Sequence, residues 1–542
     1  MPSTRKAAYL IFLALAYLFF RGIGDHGLLD PVEGLNASVA LNMVARRNVA
    51  VPMAGNLAYL GKTMGFWWLE ALALSVFGWL EFSVRFWPAL AGLGMAGASW
   101  FVGRRMEDER AGNYAAAITG TCLLTFVASQ LVSPHTLYAF LVTSALAGII
   151  YAFQDRRFFL LLHVSSALAF IVYGPAGILL PWLCLLLYAW LTEQERFLLD
   201  AFIYWPGLTA TLLLCGSYLL FFHLKNPTML TLMRYNPPAA AFGSSSSALL
   251  LLGTGFFPWL GVLPEAIKNA LPTNWHFVLP SQRPNLLILI WSGVFLFFGF
   301  FSGDALSLTA AVPALAILCA THLAKAVESN DVPLLQRTVV LKIIFFSLLL
   351  FIGLPWLYYH NDRALHGTLV SVMPWTGFCF LFLFAGWHYA RTRQPRKFMI
   401  HLCAVSLISL LPLAGAFDLL AEGMSVKDAG IFLRKGLEQS DVLVQYALNR
   451  PSLYFYTAKE SLLVHTSAIS GVMGQKTLDE PHLYRLWTEP QRIFVLIGRH
   501  QEIMTPLPQE VYNLHETRYL IVLSNRRDQE KIEGAMAAPY SE

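Results

Sequence analysis

Long apolar runs separated by short polar segments fill most of the first 417 residues. A membrane-crossing helix needs about 20 predominantly apolar residues, and on that criterion the pattern predicts about thirteen spans. Their predicted centres lie near residues 14, 95, 121, 143, 166, 183, 214, 256, 293, 314, 347, 381 and 408. Of the 542 residues, 56% are apolar and only 13% are charged, against about 25% charged in an ordinary soluble domain. The pattern therefore indicates a polytopic α-helical membrane protein and excludes a cytosolic enzyme, a disordered protein or a nucleic-acid binder.

The basic residues between the apolar runs predict how the chain is oriented. Connecting segments on the cytoplasmic side of a membrane protein carry an excess of Lys and Arg. Basic clusters occur at Arg5/Lys6, Arg104/Arg105/Arg110, Arg156/Arg157, Arg337/Lys342 and Arg391/Arg393/Arg396/Lys397. All of them fall on one side if the N-terminus is cytoplasmic. With an odd number of spans, the C-terminus then lies on the outer side.

Two regions interrupt the alternation of spans and short loops. The first outward loop, 22–82, contains two helical stretches, 33–47 and 64–78, which we expect to lie along the membrane interface. The tail, 418–542, is polar and has short β-type runs at 442–446, 492–497 and 519–523. The sequence thus predicts a transmembrane domain, 1–417, followed by a small α/β domain, 418–542, on the outer side.

Ionisable residues gather on the predicted outer face. Charges close to hydrocarbon are costly, so those that occur there invite a functional hypothesis. The group consists of Asp25, His26, Asp30, Glu33, Lys62 and His135. Two of these residues also have a structural explanation. In one, Asp30 caps a helix that starts at Pro31. In the other, His135 is a helix-start residue that only meets water. Glu70 is open between a cavity residue and a residue on the polar face of its helix, and Asp304 is interpreted as a helix N-cap and no more.

The first loop resembles GT-C membrane glycosyltransferases of the aminoarabinose transferase / protein O-mannosyltransferase superfamily. The resemblance follows an ordered set of motifs over about 300 residues. The matching positions are Glu33, Ala37, Ala40, Met43, Asn56, Tyr59, Lys62, Trp68-Leu69-Glu70-Ala71, Phe77-Gly78, Glu81, Arg85, Gly174-Pro175, Pro258-Trp259, Ser302 and Pro313. It implies a GT-C fold of about thirteen helices with a periplasmic tail, in the inner membrane of a bacterium.

The chain departs from the family pattern at four polar positions. The family's catalytic Asp directly before Glu33 is Val32 here, and the nearest substitute is Asp30. A second family Asp, at the start of span four, corresponds to His135. The Lys before Gly-Pro is replaced by Tyr173. The family's Lys-Leu-Pro near span ten reads Asp304-Ala305-Leu306, so several anion-binding positions have lost or inverted their charge.

The resemblance implies transfer of a sugar from a polyprenyl-phosphate donor to an envelope acceptor, such as lipid A, a glycan or a protein. A cation beside the departing phosphate stabilises its developing charge, and Lys62 and Arg234 are the candidates. Asp30, Glu33 and His135 are the candidate catalytic groups, with one of the carboxylates as a base for an acceptor hydroxyl. The candidate cavity residues are Tyr59, Glu70 and Tyr173.

This chemistry gives no certain cofactor, and Glu33 and His135 are candidate ligands for a divalent metal. The alternative function is a non-catalytic glycolipid-binding partner or a transporter of lipid-linked sugars, which the replacements at Val32 and His135 favour. Against a transporter, the spans carry few of the midplane charges that transport pathways use.

Overall fold

In the computed structural model, residues 2–59, 63–225, 254–274, 278–329, 391–467, 477–501 and 510–526 are described, with isolated positions between them. The chain divides into two compact units. The helical unit comprises Met1–Ile23, Arg85–Leu224 and Ala239–Ala416. The loop–tail unit comprises Gly24–Val84, Lys225–Pro238 and Phe417–Glu542. The first outward loop and the polar tail thus fold into one unit.

Apolar α-helices dominate the first part of the chain. They are α1 (Pro2–Phe20), α2 (Val32–Ala45), α3 (Gly65–Phe77), α4 (Glu81–Met106), α5 (Glu109–Thr121), α6 (Leu123–Gln130), α7 (His135–Ala152), α8 (Phe159–Tyr173), α9 (Ala176–Thr192), α10 (Glu195–Phe202), α11 (Trp205–Lys225), α12 (Leu263–Ala270), α13 (Arg283–Phe301), α14 (Val312–Ser329) and α15 (Pro395–Met424). Three 3-10 helices cover Arg156–Phe158, Leu260–Val262 and Ala305–Ala311, and a small hairpin pairs β1 (Met53–Ala54) with β2 (Leu57–Ala58).

Within the described residues, six helices are long and apolar enough to cross a membrane, or seven if the bent pair α5 and α6 counts as one. The chain is therefore a multi-pass membrane protein, while the predicted total of about thirteen spans stays a prediction. The predicted centre near 256 lies at a turn rather than inside a helix. The centre near 347 falls where only isolated positions are described, whereas next to the centre near 381 the described residues 383–389 are helical.

The predicted span centred near 121 is a broken helix. Helices α5 and α6 meet at Cys122 with a bend of 58°. The segment that follows residue 256 packs into the break: the Leu123 amide donates to the Phe257 carbonyl at 2.9 Å, and the Trp259 indole donates to the Thr121 hydroxyl at 2.9 Å. A break in apolar surroundings must have its freed polar groups satisfied by protein. The second segment supplies those partners.

Helix α2 lies where the sequence predicts an interfacial helix, but it is buried on every side from Glu33 to Met43. The sequence pattern indicates one polar and one apolar face. The structure instead covers the polar face with α3 and with a short tail helix, α17 (Ser452–Thr457). Hydrogen bonds accompany this packing, from the Trp67 indole to Asn36 at 3.1 Å and from Ser38 to the Pro451 carbonyl at 2.8 Å.

The tail forms a six-stranded sheet with helices, in the order β5-β4-β3-β6-β8-β7. Its elements are α16 (Lys427–Gly436), β3 (Val442–Tyr446), α17, β4 (Ser461–Val464), β5 (Thr477–Leu478), α18 (Glu480–Trp487), β6 (Ile493–Gly498), β7 (Tyr512–Glu516) and β8 (Leu520–Ser524). Strands β5, β4, β3 and β6 pair in parallel, whereas β8 pairs antiparallel with both β6 and β7. Val444, Val464, Trp487 and Val495 form its core. The three predicted β-type runs are confirmed as β3, β6 and β8.

Candidate functional site

Three carboxyl side chains are buried together where the first loop enters α2 and α3. Asp30 and Glu33 are each 1% exposed, and Glu70 is 0% exposed. One carboxylate oxygen of Glu33 accepts the Leu29 amide at 2.8 Å, which fixes the turn into α2. Electrostatic coupling links Glu33 to both of the other acids. The loop–tail unit thus holds a cluster of three acids away from water.

Asp30 binds the N-terminal end of the tail helix α17. Its two carboxylate oxygens accept the backbone amide of Ser452 at 2.9 Å and the Ser452 hydroxyl. Gly34 makes this close approach possible, because a Cβ there would lie 2.0 Å from the Asp30 carboxylate. The idea that Asp30 caps the helix starting at Pro31 is wrong, since Pro31 itself occupies the cap position and no side chain caps that end of α2.

Burial raises the pKa of the Asp30 carboxyl to about 7, although the hydrogen bonds from Ser452 and the charge of Arg450 oppose the shift. Burial also raises the pKa of Glu70 well above its usual range, and the negative charge of Glu33 adds to this shift. Neither Glu70 carboxyl oxygen has a hydrogen-bond partner among the described residues. Asp30 and Glu70 therefore keep their protons to higher pH than exposed carboxyls do.

Val32 stands where the resemblance predicts a catalytic Asp, and its side chain is 49% exposed. The side chain at position 32 is therefore apolar and exposed, whereas the acids before and after it, Asp30 and Glu33, are buried. Tyr59 is 6% exposed and packs against Trp67 with ring centroids 5.4 Å apart. Burial raises its pKa to about 12, so the phenol stays protonated. The predicted phosphate-binding residues Lys62 and Arg234 lie outside the described residues.

In the helical unit, His135 at the start of α7 faces Asp304, whose carboxylate Oδ2 lies 3.0 Å from the imidazole Nε2. The His135 side chain is 3% exposed and that of Asp304 is 47% exposed. Both imidazole nitrogens are buried, and neither makes a contact of hydrogen-bond geometry among the described residues. The explanation that His135 only meets water is therefore wrong, because the ring is enclosed and lies against the Asp304 carboxylate.

Asp304 has two roles. Its Oδ1 caps the 3-10 helix Ala305–Ala311 by accepting the Leu306 amide at 3.1 Å, as the sequence predicts. Its pairing with His135 was missed. The resemblance places an acid at position 135 and a Lys at position 304, whereas this chain has an imidazole and a carboxylate there, and the two side chains meet. A change of polar residue at both motifs was the signal that could have revealed the pair.

Two tyrosines flank this pair. Tyr173 contacts the His135 ring edge-on, with centroids 5.5 Å apart, and stacks on Tyr138 at 4.2 Å. The Tyr138 hydroxyl donates to the Ala176 carbonyl at 3.4 Å, just beyond the Gly174-Pro175 turn. Where the resemblance predicts a Lys, Tyr173 thus places an aromatic ring beside the imidazole.

The predicted site residues divide between the two units. Asp30, Glu33, Tyr59 and Glu70 lie in the loop–tail unit, and His135 and Tyr173 lie in the helical unit. Among the described residues, no group of three or more His, Cys, Asp or Glu side chains is placed to hold a metal ion. Beyond Asp304, sequence reasoning also missed Ser452, which binds Asp30 from more than 400 positions away.

Comparison with solved structures identifies the fold as that of a GT-C membrane glycosyltransferase. The crystal structure of ArnT from Cupriavidus metallidurans in the apo state matches with a TM-score of 0.78 at 19% identity, covering 98% of this chain and 99% of that one. The same protein bound to undecaprenyl phosphate matches with a TM-score of 0.77 at 20% identity and equal coverage. The predicted GT-C fold is confirmed.

Sequence comparisons place the similarity in the superfamily that the motifs indicate. Residues 62–221 match the family model described as dolichyl-phosphate-mannose-protein mannosyltransferase. An undecaprenyl phosphate-alpha-4-amino-4-deoxy-L-arabinose arabinosyl transferase of Pseudomonas fluorescens is 26% identical over 49% of this chain and 50% of its own length. The corresponding Pseudomonas aeruginosa protein is 24% identical over 53% and 54%. The chain thus spans about half the length of the curated relatives it matches, and the resemblance to this superfamily is confirmed.

The raised pKa of Asp30 predicts a pH-dependent stability. Its value of 3.8 in the unfolded chain becomes about 7 in the folded protein, so the folded state binds this proton more tightly. The resulting stabilisation is complete below the unfolded pKa and is lost as pH rises through the folded one, with an upper size on the order of 4 kcal/mol. We expect the unfolding temperature in detergent to fall less between about pH 5 and about pH 8 in Asp30→Asn than in the wild type.

The matched control is Asp25→Asn, an exposed acid in the same loop, which we expect to keep the wild-type pH dependence. An Asp30→Asn protein whose unfolding temperature follows the wild-type pH curve would show that the Asp30 carboxyl is not protonated on folding.

Proposed function

We propose that this protein transfers a sugar from a polyprenyl-phosphate donor to an envelope acceptor at the outer face of the bacterial inner membrane. The observation that carries the proposal is the cluster of buried acids on α2 and α3, on a GT-C fold whose sequence resembles arabinosyl transferases. Such a reaction needs groups that accept and hold protons beside a lipid-borne phosphosugar. Glu70, whose carboxyl oxygens have no hydrogen-bond partner among the described residues, makes no contact that offsets its desolvation.

Within the cluster, we assign the base to Glu33 and a positioning role to Asp30. Both oxygens of Asp30 are engaged by Ser452, which suits a positioning role. Glu33 follows three positions later, in the motif that the resemblance covers. Glu33 takes the proton of an acceptor hydroxyl, and the charge that develops on the departing phosphate is stabilised by a cation. Lys62 and Arg234 stay the predicted cations for that phosphate.

His135 is a second proton acceptor in the proposal. The Asp304 carboxylate lies 3.0 Å from Nε2, so a negative charge stands beside the ring when it accepts a proton. The arrangement follows the general logic in which a carboxylate orients a catalytic imidazole. Tyr173 and Tyr138 hold the plane of the ring through aromatic contacts.

Ion pairs in the helical unit support the proposed orientation. Glu109 lies 3.7 Å from both Arg5 and Arg104, which joins the N-terminal basic cluster to the one after α4. Lys325 near the end of α14 lies 3.3 Å from Glu107 in the same connection. These clusters share one end of the unit, as a cytoplasmic face requires. We accordingly propose a cytoplasmic N-terminus, a transmembrane domain over 1–417 and a periplasmic domain over 418–542.

A second candidate is a non-catalytic glycolipid-binding partner, or a carrier of lipid-linked sugars. The exposed Val32 favours the binding partner, because an apolar side chain replaces a carboxylate at the family's catalytic position. Restoring the acid with Val32→Asp separates the candidates. An inactive wild type that gains sugar transfer on this substitution would establish the non-catalytic partner.

Replacement of the proposed base tests the transferase directly. We expect Glu33→Gln to reduce transfer about 100-fold or more, because the amide cannot accept the proton. The measurement is mass spectrometry of envelope glycolipids from cells lacking the native protein and carrying each variant at equal membrane abundance. Glu489→Gln, an exposed acid of the tail, is the control and keeps the modified glycolipid. Full modification by Glu33→Gln would reject the assignment.

Changing the charges of His135 and Asp304 tests whether the two side chains act together. His135→Asp places two carboxylates 3 Å apart in part-buried surroundings, at the distance that now separates imidazole and carboxylate, so we expect transfer to fall about 10-fold or more. The double variant His135→Asp with Asp304→Lys regains attraction and recovers part of the loss. The same glycolipid measurement reads both. A double variant no better than the single ones would show that the two positions are not coupled.

A further inference from the structure

The turn 391–397, which leads into α15 in the helical unit, concentrates positive charge. Four of its seven residues are basic and exposed, namely Arg391, Arg393, Arg396 and Lys397. The surrounding sequence offers no compensation, because 363–417 contains no Asp or Glu. We call these four residues the basic turn.

Other basic residues of the helical unit have acidic partners within the chain. Arg104 lies 3.7 Å from Glu109, and Lys325 lies 3.3 Å from Glu107. No residue of the basic turn forms an ion pair with an acidic side chain in the described part of the chain. Like charges crowded into one turn repel one another, so an anion from outside the chain would stabilise it.

A reversal between two helices brings the cations together. In the preceding helix, described over 383–389, the Tyr389 carbonyl accepts the Gln394 amide at 2.9 Å. Arg393 has a left-handed backbone conformation, with φ 55°, as at the end of a Schellman motif. Helix α15 begins two residues later, at Pro395. One pair of cations therefore ends the first helix, and the other pair begins the second.

The second pair of cations lies at the end of a helix that favours negative charge. Arg396 and Lys397 are in the first turn of α15, which contains no acidic residue. This end carries the positive pole of the helix dipole and backbone N–H groups that have no acceptor within the helix. Cations are unfavourable there, whereas an anion is stabilised. The local electrostatics thus add to the demand for a negative group at this turn.

Aromatic rings place the basic turn at the depth of lipid head groups. The guanidinium carbon of Arg391 lies 5.5 Å from the ring centroid of Trp387, and the Nζ of Lys397 lies 5.6 Å from that of Tyr389. Trp and Tyr are enriched where the membrane meets water, and their rings sit at the level of the head groups. The cations that contact these rings are therefore within reach of lipid phosphates.

The acid at the start of α5 does not neutralise the basic turn. Arg396 and Arg110 both interact electrostatically with Tyr114 of α5, so the turn and the start of α5 lie at the same end of the helical unit. Asp108 of that end caps α5 by accepting the Ala111 amide at 2.8 Å. Its other carboxylate oxygen lies 3.8 Å from the Arg110 guanidinium. Its charge is thus already engaged at the start of α5.

We propose that the basic turn binds an anionic phospholipid with two phosphates, of the cardiolipin type, in the leaflet that adjoins it. One phosphate meets Arg391 and Arg393, and the other meets Arg396 and Lys397. Guanidinium groups suit this role because they donate two parallel hydrogen bonds to phosphate oxygens. The acyl chains pass Ile400, an apolar side chain of α15 that is 67% exposed.

This lipid site goes beyond the proposed function. It includes no residue of the acid cluster on α2 and α3, and neither member of the pair formed by His135 and Asp304. Loss of the lipid therefore leaves the proposed catalytic groups in place, and loss of sugar transfer leaves lipid binding unchanged.

Native mass spectrometry of the full chain in detergent, titrated with defined lipids, tests the proposal. Each Lys or Arg near an anionic lipid surface contributes about fivefold in affinity. Phosphatidylglycerol has one phosphate and meets one pair of cations, so we expect it to bind about 25-fold more weakly than cardiolipin. Phosphatidylethanolamine, which has no net charge, is expected to bind more weakly still.

Removal of one pair of cations should abolish the preference for two phosphates. We expect the double variant Arg396→Gln with Lys397→Gln to bind cardiolipin about 25-fold more weakly, and no better than it binds phosphatidylglycerol. Arg393→Gly removes one charge and keeps the turn, because glycine adopts a positive φ without strain. We expect it to bind cardiolipin about fivefold more weakly, and it decides the outcome if the double variant does not fold.

The charge-matched control is Arg156→Gln with Arg157→Gln, an exposed basic pair that follows Asp155; it keeps the wild-type preference for cardiolipin. Equal affinity of the wild type for cardiolipin and phosphatidylethanolamine overturns the proposal. So does unchanged cardiolipin binding in Arg393→Gly and in the double variant. A control that loses as much affinity as the double variant also overturns it, because the lipid then responds to total charge rather than to this turn.

Discussion

The cost of burying carboxyl groups governs the loop–tail unit. Removing an acid from water is unfavourable unless it is hydrogen-bonded or protonated. Asp30 meets the first condition through Ser452, and Glu70, with no partner among the described residues, meets the second. The tail helix α17 provides both the hydrogen bonds and part of the cover. The tail is therefore more than an appended domain: it helps to create the buried environment in which the pKa of Asp30 is raised.

The same electrostatic reasoning explains the charge changes in the helical unit. Two carboxylates facing each other in part-buried surroundings would be strongly destabilising. With His at position 135 and Asp at position 304, the two side chains instead form a close contact of 3.0 Å. Tyr173 gives the imidazole an aromatic neighbour. The positions at which the chain departs from the pattern of the resemblance are therefore in contact with one another.

Local patterns in the sequence predicted much of the fold. Apolar runs marked the helices, short β-type runs marked β3, β6 and β8, and an Asp between two spans marked the cap at Asp304. Patterns could not show what covers a polar face, so α2 was expected at an interface although α17 buries it. They also could not show pairs distant in sequence, such as Asp30 with Ser452. The break at Cys122 was hidden because both halves of that span are apolar.

We expect the acid cluster to hold protons at a pH where exposed carboxyls have lost them, because burial raises the pKa of Asp30 and Glu70. Infrared spectroscopy of the protein in detergent measures this directly, since a protonated carboxyl has its own carbonyl stretching band. The account predicts such a band at mildly alkaline pH in the wild type and its loss in Glu70→Gln, with the fold retained. A wild-type spectrum without that band, or an unchanged band in Glu70→Gln, would contradict it.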